Sequence, residues 1–213
     1  MKTEELVFEK TYKYYLEQLR EISFESIAQN LGAKIEENRL KIPLIGIEYT
    51  ISDEGIANTS SKKPSHDICV ILSKYILLCP DTPPTKNNWV SFRDFKDSGP
   101  LIGYFANNVE HAIGSYFSER LSDLKTVSNS LGGYPPDLEV KYDCAMQFDA
   151  LPMIPVIMLF NDADEEFSAK CYVLFESRAE EYLDAECIAM IGWQLFNHLK
   201  RAIKKQKDSG GII

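Results

Sequence analysis

Residues 151–177 read LPMIPVIMLFNDADEEFSAKCYVLFES, two apolar runs joined by an acidic turn, and they decide the fold. The run 153–160 is apolar throughout and is interrupted only by Pro155, while 169–175 is rich in β-formers. Between them, 161–166 (NDADEE) is turn-prone and charged, so the stretch predicts a β-hairpin. An apolar run without polar alternation needs cover on both faces. Helices and further strands are therefore expected to enclose it.

Immediately upstream, Leu138, Val140 and Tyr142 alternate with polar residues, as a strand with one wet face would, predicting a strand over 138–148. Before that, Pro100 suits the first position of a helix, and Ile102, Phe105, Val109, Ile113 and Tyr116 give it an apolar face. The pattern continues through Leu121, Leu124 and Leu131, with a bend expected near Gly114-Ser115 and a stop at Gly132-Gly133. Downstream, Asp184 reads as an N-cap, Glu186 favours the first turn, and Leu183 with Ile188 is spaced as a hydrophobic staple. Ile188, Ile191, Leu195, Leu199 and Ile203 continue that helix, and 208–213 is expected to fray.

The N-terminal half predicts an amphipathic helix over 3–22, with Thr3 as cap and Glu4 and Glu5 in its first turn, and a short helix over 23–32. Strands follow at 33–36, 40–42, 45–51 and 56–57, with Pro43 marking an edge or starting the longer strand. Ser65 caps a helix over 65–78 that is apolar nearly all round, hence central. The expected fold is α+β: an antiparallel sheet from the 33–57 and 138–175 segments, with the hairpin of about 152–175 at its centre and several helices packed on it. One domain over 1–213 is expected, with a helical and small-sheet subregion over 1–60.

The chain is acidic, with net charge −9, 45% hydrophobic and 26% charged residues. That balance suits a globular protein and argues against a nucleic-acid or anionic-membrane partner, both of which need concentrated positive charge. The basic run Lys200, Arg201, Lys204, Lys205 and Lys207 suits a helix C-terminus. No stretch reaches the ~20 apolar residues of a membrane span, and the charged start MKTEELVFEK lacks a signal-peptide core, so a cytoplasmic location is expected. Five cysteines without CxxC spacing signal neither a disulfide framework nor a metal site, so no metal and no cofactor are expected. The mechanism-bearing motifs GxGxxG, P-loop, HExxH and GxSxG do not occur.

The densest mixture of aromatic and charged residues is 89–95, WVSFRDF. Trp89 and Phe92 would pin the segment to the core, and Arg93, beside them, needs a carboxylate or an anionic ligand. The acids offered are Asp143 and those of the hairpin turn, Asp164, Glu165 and Glu166. His66 and Asp67 read as an exposed histidine and a dipole-favoured helix start. The candidate ligand-binding set is Trp89, Arg93, Asp143, Asp164 and Glu165; an enzyme reading would use Asp143, Asp164 or Glu165 as acid or base with Arg93 as anion holder.

Several stretches together resemble a family of uncharacterised proteins found mainly in anaerobic bacteria and archaea, some with a separate four-cysteine iron–sulfur segment. They are 89–93, 131–133, Asp143 with Ala145 and Phe148, Leu151-Pro152 with Pro155, 164–167 with Ala169, 173–175 and Tyr182-Leu183. Tyr142 stands where the family tends to have glycine, and Ser168 where it has proline. The cysteine segment is missing from this chain. The resemblance implies a non-enzymatic binding or accessory module working with iron–sulfur or one-carbon machinery, and hence an iron–sulfur protein partner.

Overall fold

The structure, a computed structural model, describes residues 2–85 and 88–210. The capping role expected of Thr3, Glu4 and Glu5 lies outside the described side chains. Helix α1 (Lys2–Leu19) and the short α2 (Phe24–Ile27) lead into four strands, β1 (Lys34–Glu36), β2 (Arg39–Leu44), β3 (Ile47–Ser52) and β4 (Gly55–Asn58). Then come α3 (His66–Leu77), β5 (Trp89–Ser91), α4 (Ile102–Phe105), a π turn (Ala106–Glu110), α5 (His111–Phe117) and α6 (Leu121–Ser130). The chain closes with β6 (Cys144–Leu151), β7 (Ile154–Asn161), β8 (Lys170–Glu176) and the long α7 (Ala185–Gly210).

The fold is α+β, but its strands make two antiparallel sheets rather than one, ordered β1-β2-β3-β4 and β5-β8-β7-β6. The small sheet is a meander whose tight turns use left-handed backbone, at Glu37-Asn38 and at Ile45-Gly46, the geometry that matches strand twist. Its β4 edge is capped by a side chain: the Tyr12 hydroxyl of α1 accepts the Ile56 N–H at 2.8 Å. The sheets meet where Ile45, buried and left-handed (φ 48), donates its N–H to the Ala150 carbonyl at 2.9 Å. Pro43 neither marks an edge strand nor starts one. It sits inside β2 opposite Glu48, beyond the end of β1, which pairs only to Lys41, so its missing N–H faces no strand on that side.

The expected hairpin is β7–β8, and β7 is buried on both faces from Ile154 to Phe160. Two expectations are corrected. Leu138 and Val140 are exposed outside any strand, and β6 starts at Cys144, with Tyr134 instead bridging Gln147 on its outer side. The helical stretch 100–131 breaks not at Gly114 but at Ser118–Arg120, where Glu119 is left-handed (φ 61) and gives its N–H to Asp162 Oδ1 at 2.6 Å. Gly114 serves a different purpose, since a Cβ there would lie 3.1 Å from the Ala169 carbonyl oxygen of the chain entering β8. α7 begins as expected: Asp184 Oδ1 accepts the Cys187 N–H at 3.0 Å, and Asp184 Oδ2 meets Lys74 Nζ at 2.8 Å. It runs on to Gly210, through the start of the stretch expected to fray, and 211–213 lie outside the described residues.

Phe105 joins three layers. Its ring stacks on Phe92 at 4.4 Å, lies 6.0 Å from Phe175, and packs on Gly192 of α7.

Candidate functional site

The residues singled out from sequence fall in two places. Trp89 is half-buried on β5 opposite Glu176, and Arg93 is exposed on the 3-10 turn Phe92–Asp94 that follows it. Asp143 precedes β6 at the other edge of the sheet, with β8 and β7 between, a span of about 14 Å. Asp164 and Glu165 follow β7, beside Asp143 rather than Arg93. All three acids are exposed, and two of them have turn chemistry to explain them. Asp143 Oδ2 accepts the Asp162 N–H at 2.8 Å, and Asp164 Oδ1 accepts those of Glu166 and Phe167 at 2.9 and 2.7 Å. Asp94, in the same turn as Arg93, closes a capping box on Ser91. Arg93 makes no ion pair among the described residues; the carboxylate its charge reaches is Glu110.

Glu110 owes its position to the π turn. β5 ends opposite Leu174, so from Val173 back toward Lys170 the outer edge of β8 has no strand partner. The helix running from α4 to α5 lies along that edge, close enough to require Gly114, and Glu110 Oε1 accepts the Val173 N–H at 3.1 Å. The π turn, whose wider winding departs from the regular helix, ends at Glu110, whose side chain meets the strand. No side-chain pattern announces such a turn: Phe105, Val109 and Ile113 are spaced as on a regular helix. Burial pushes the Glu110 carboxyl above its ordinary value, and the Val173 N–H and the Arg93 charge restrain that rise.

Arg93 and Glu110 both line a pocket of about 220 Å³, with Ile102, Phe105, Tyr172 and Leu174 providing apolar surface. The pocket takes in Tyr172 and Leu174 from the outer face of the large sheet, where Leu174 sits between Ile157 and Ser91. Ile157 and Leu159 are buried on that face. The Tyr142 ring stands 6.3 Å from that of Tyr172, and Tyr134 is tied to Asp149 and Gln147 at 3.0 and 2.8 Å. The half-buried guanidinium of this region is Arg178, ion-paired to Glu176 and not foreseen from sequence.

Other candidates offer less chemistry. A wider groove of about 1110 Å³ over the small sheet is lined by Glu36, Glu48, Arg39 and Lys41, where the half-buried Lys41 lies between Glu36 and Glu48 at 3.8 and 4.0 Å. His66 packs on Phe8, and Asp67 accepts from Gln194. His198 is buried with its Nδ1 2.7 Å from the Gln194 carbonyl, and burial lowers its pKa. The five cysteines are free, and burial pushes Cys69 up to about 12, an unreactive thiol. Among the described residues no three His, Cys, Asp or Glu side chains are grouped to hold a metal ion, and no helix is long and apolar enough to cross a membrane.

A family model described as a domain of unknown function, DUF3786, matches residues 23–198. No curated protein and no solved structure matches the chain.

Proposed function

We propose, from the premise that this chain belongs to the DUF3786 family, that it is a non-enzymatic binding module which holds an anionic group at Arg93. The observation that carries the reading is the pairing of an exposed guanidinium, without an ion-pair partner among the described residues, with a pocket whose lining includes Ile102, Phe105 and Leu174. Trp89, two residues from Ser91 on the same face of β5, is the aromatic neighbour of that site. Binding is favoured over acid–base catalysis because Asp143, Asp164 and Glu165 are solvated and stand apart from Arg93, whereas a general base must share a cleft with the groups it serves. In this reading those acids form the charged rim beside β7. The chain acts as a single domain in the cytoplasm, which its five free thiols suit. Its partner is iron–sulfur or one-carbon machinery, a step that rests on the family resemblance alone, with any cluster carried by the partner.

The test is a melting series with sulfate, phosphate and small carboxylates on wild type and Arg93→Met. Removing an exposed side chain should change stability by no more than about 0.5 kcal/mol in plain buffer, while abolishing the upward shift that anions give the wild type. Equal anion stabilisation of both proteins would overturn the reading.

A further inference from the structure

The pocket is asymmetric in a way that restricts which anion it accepts. Its lining carries one cation, Arg93, and one carboxylate, Glu110, one of whose oxygens is already occupied by the Val173 N–H. The rest of the lining is mostly hydrocarbon, from Ile102, Phe105, Ala106 and Leu174, with Ser91 engaged by Asp94. Other titratable groups nearby are otherwise engaged or differently placed. Asp94 is committed to Ser91, His111 is exposed and bonded to Ser115, and Cys171 is a buried thiol whose pKa burial pushes well up. Tyr172 also lines the pocket and is exposed. A dianion such as phosphate would be drawn by Arg93 and repelled by Glu110 across the same small space. A carboxylic acid avoids the conflict, because two carboxyl groups facing each other can share one proton. The volume of about 220 Å³ holds about seven waters at ~30 Å³ each, which fits an acid of a similar number of non-hydrogen atoms.

Building on the anion-holding reading above, we infer that the pocket takes a small carboxylic acid with an apolar body, held by Arg93 through one oxygen and sharing a proton with Glu110 through the other. The ligand's hydrocarbon lies against Ile102, Phe105 and Leu174. The ligand arrives from neutral solution as a carboxylate, so the shared proton comes from solvent, and binding takes up about one proton per site. Affinity therefore strengthens as pH falls.

The experiment is isothermal titration of the full chain with isobutyrate, in buffers of different ionisation enthalpy, across pH 5.5–8. Expected are uptake of about one proton and, above the pH where Glu110 titrates, a loss of affinity approaching about tenfold per pH unit. Glu110→Gln should bind isobutyrate with no proton uptake and a flat pH profile, and Arg93→Met should not bind it. Isobutyrate binding without proton uptake, or sulfate binding as tightly as isobutyrate, would overturn this inference while leaving Arg93 as an anion holder. Binding of neither isobutyrate nor sulfate, or their undiminished binding to Arg93→Met, would overturn the anion-holding reading as well. The wild-type pH profile decides the question even if Glu110→Gln fails to fold.

Discussion

Gly192 illustrates how one position sets opposing effects against each other. In the middle of α7, alanine would gain about 1 kcal/mol in helix propensity, but its Cβ would lie 2.6 Å from Phe105 Cε2. That ring is stacked on Phe92 and abuts Phe175, so it has nowhere to retreat. Overpacking costs about 1–3 kcal/mol, and Gly192→Ala is expected to lower stability in urea unfolding despite the better helix former. Glu110 sets the pH response. Its pKa is raised in the folded state by burial, so the native protein keeps a proton that the unfolded chain has lost, and stability falls as pH rises from the ordinary carboxylate range through the folded-state value. Glu110→Gln, whose amide oxygen can still accept from Val173, should flatten that part of the stability–pH curve and melt no lower than wild type at pH 7. Asp184 behaves oppositely: burial alone would push it up, but Lys74 and the Cys187 N–H outweigh this and hold it below its ordinary value. Its contribution is present above the ordinary aspartate range and disappears as pH falls through the folded value. Asp184→Ala should cost about 1–2 kcal/mol at neutral pH, from a lost cap and a half-exposed ion pair. Of these residues Asp184 was legible in the sequence, because a cap, an acidic first turn and a staple are local signals. Glu110 was not, because its environment is made by a strand more than sixty residues away.

At the level of elements, the hairpin was legible because β7 is apolar at seven consecutive positions, and the structure buries all seven. β8 alternates, with Tyr172 exposed and Leu174 only half-buried on the outer face. The two strands therefore respond differently to charge. Val156→Asp places a carboxylate on a fully buried position and should prevent soluble folding. Leu174→Asp places the charge at a half-buried position lining the pocket, and its soluble yield should survive with a reduced melting temperature. The strand expected over 138–148 begins only at Cys144, because alternation is a property of one segment whereas a strand also needs a neighbour, and β7 ends at Asn161. The break after α5 was misplaced for a similar reason, as Glu119 turns left-handed to meet Asp162, a residue 43 positions away.

Across the whole molecule, two sheets rather than one share a continuous buried core that runs from Tyr12 through Ile51 and Leu72 to Phe175 and Ile203. Ile45 locks the small sheet to β6 through the Ala150 carbonyl. The chain is expected to unfold in one transition, with amides of β3 and β7 exchanging at the same free energy in native-state hydrogen exchange; earlier opening of β3 would mean that residues 1–60 fold as a separate unit. One feature of both sheets reaches beyond folding. β4 and β8 each present a backbone N–H at an edge with no neighbouring strand, and each is taken by a helix side chain, by Tyr12 at Ile56 and by Glu110 at Val173. An uncovered edge recruits strands from other molecules. Tyr12→Phe, which strands a buried donor at a cost of about 1–3 kcal/mol, should therefore do more than lower the melting point. It should shorten the lag before fibril formation in concentrated, warmed solution, because the two helices act as guards against polymerisation as well as parts of the core.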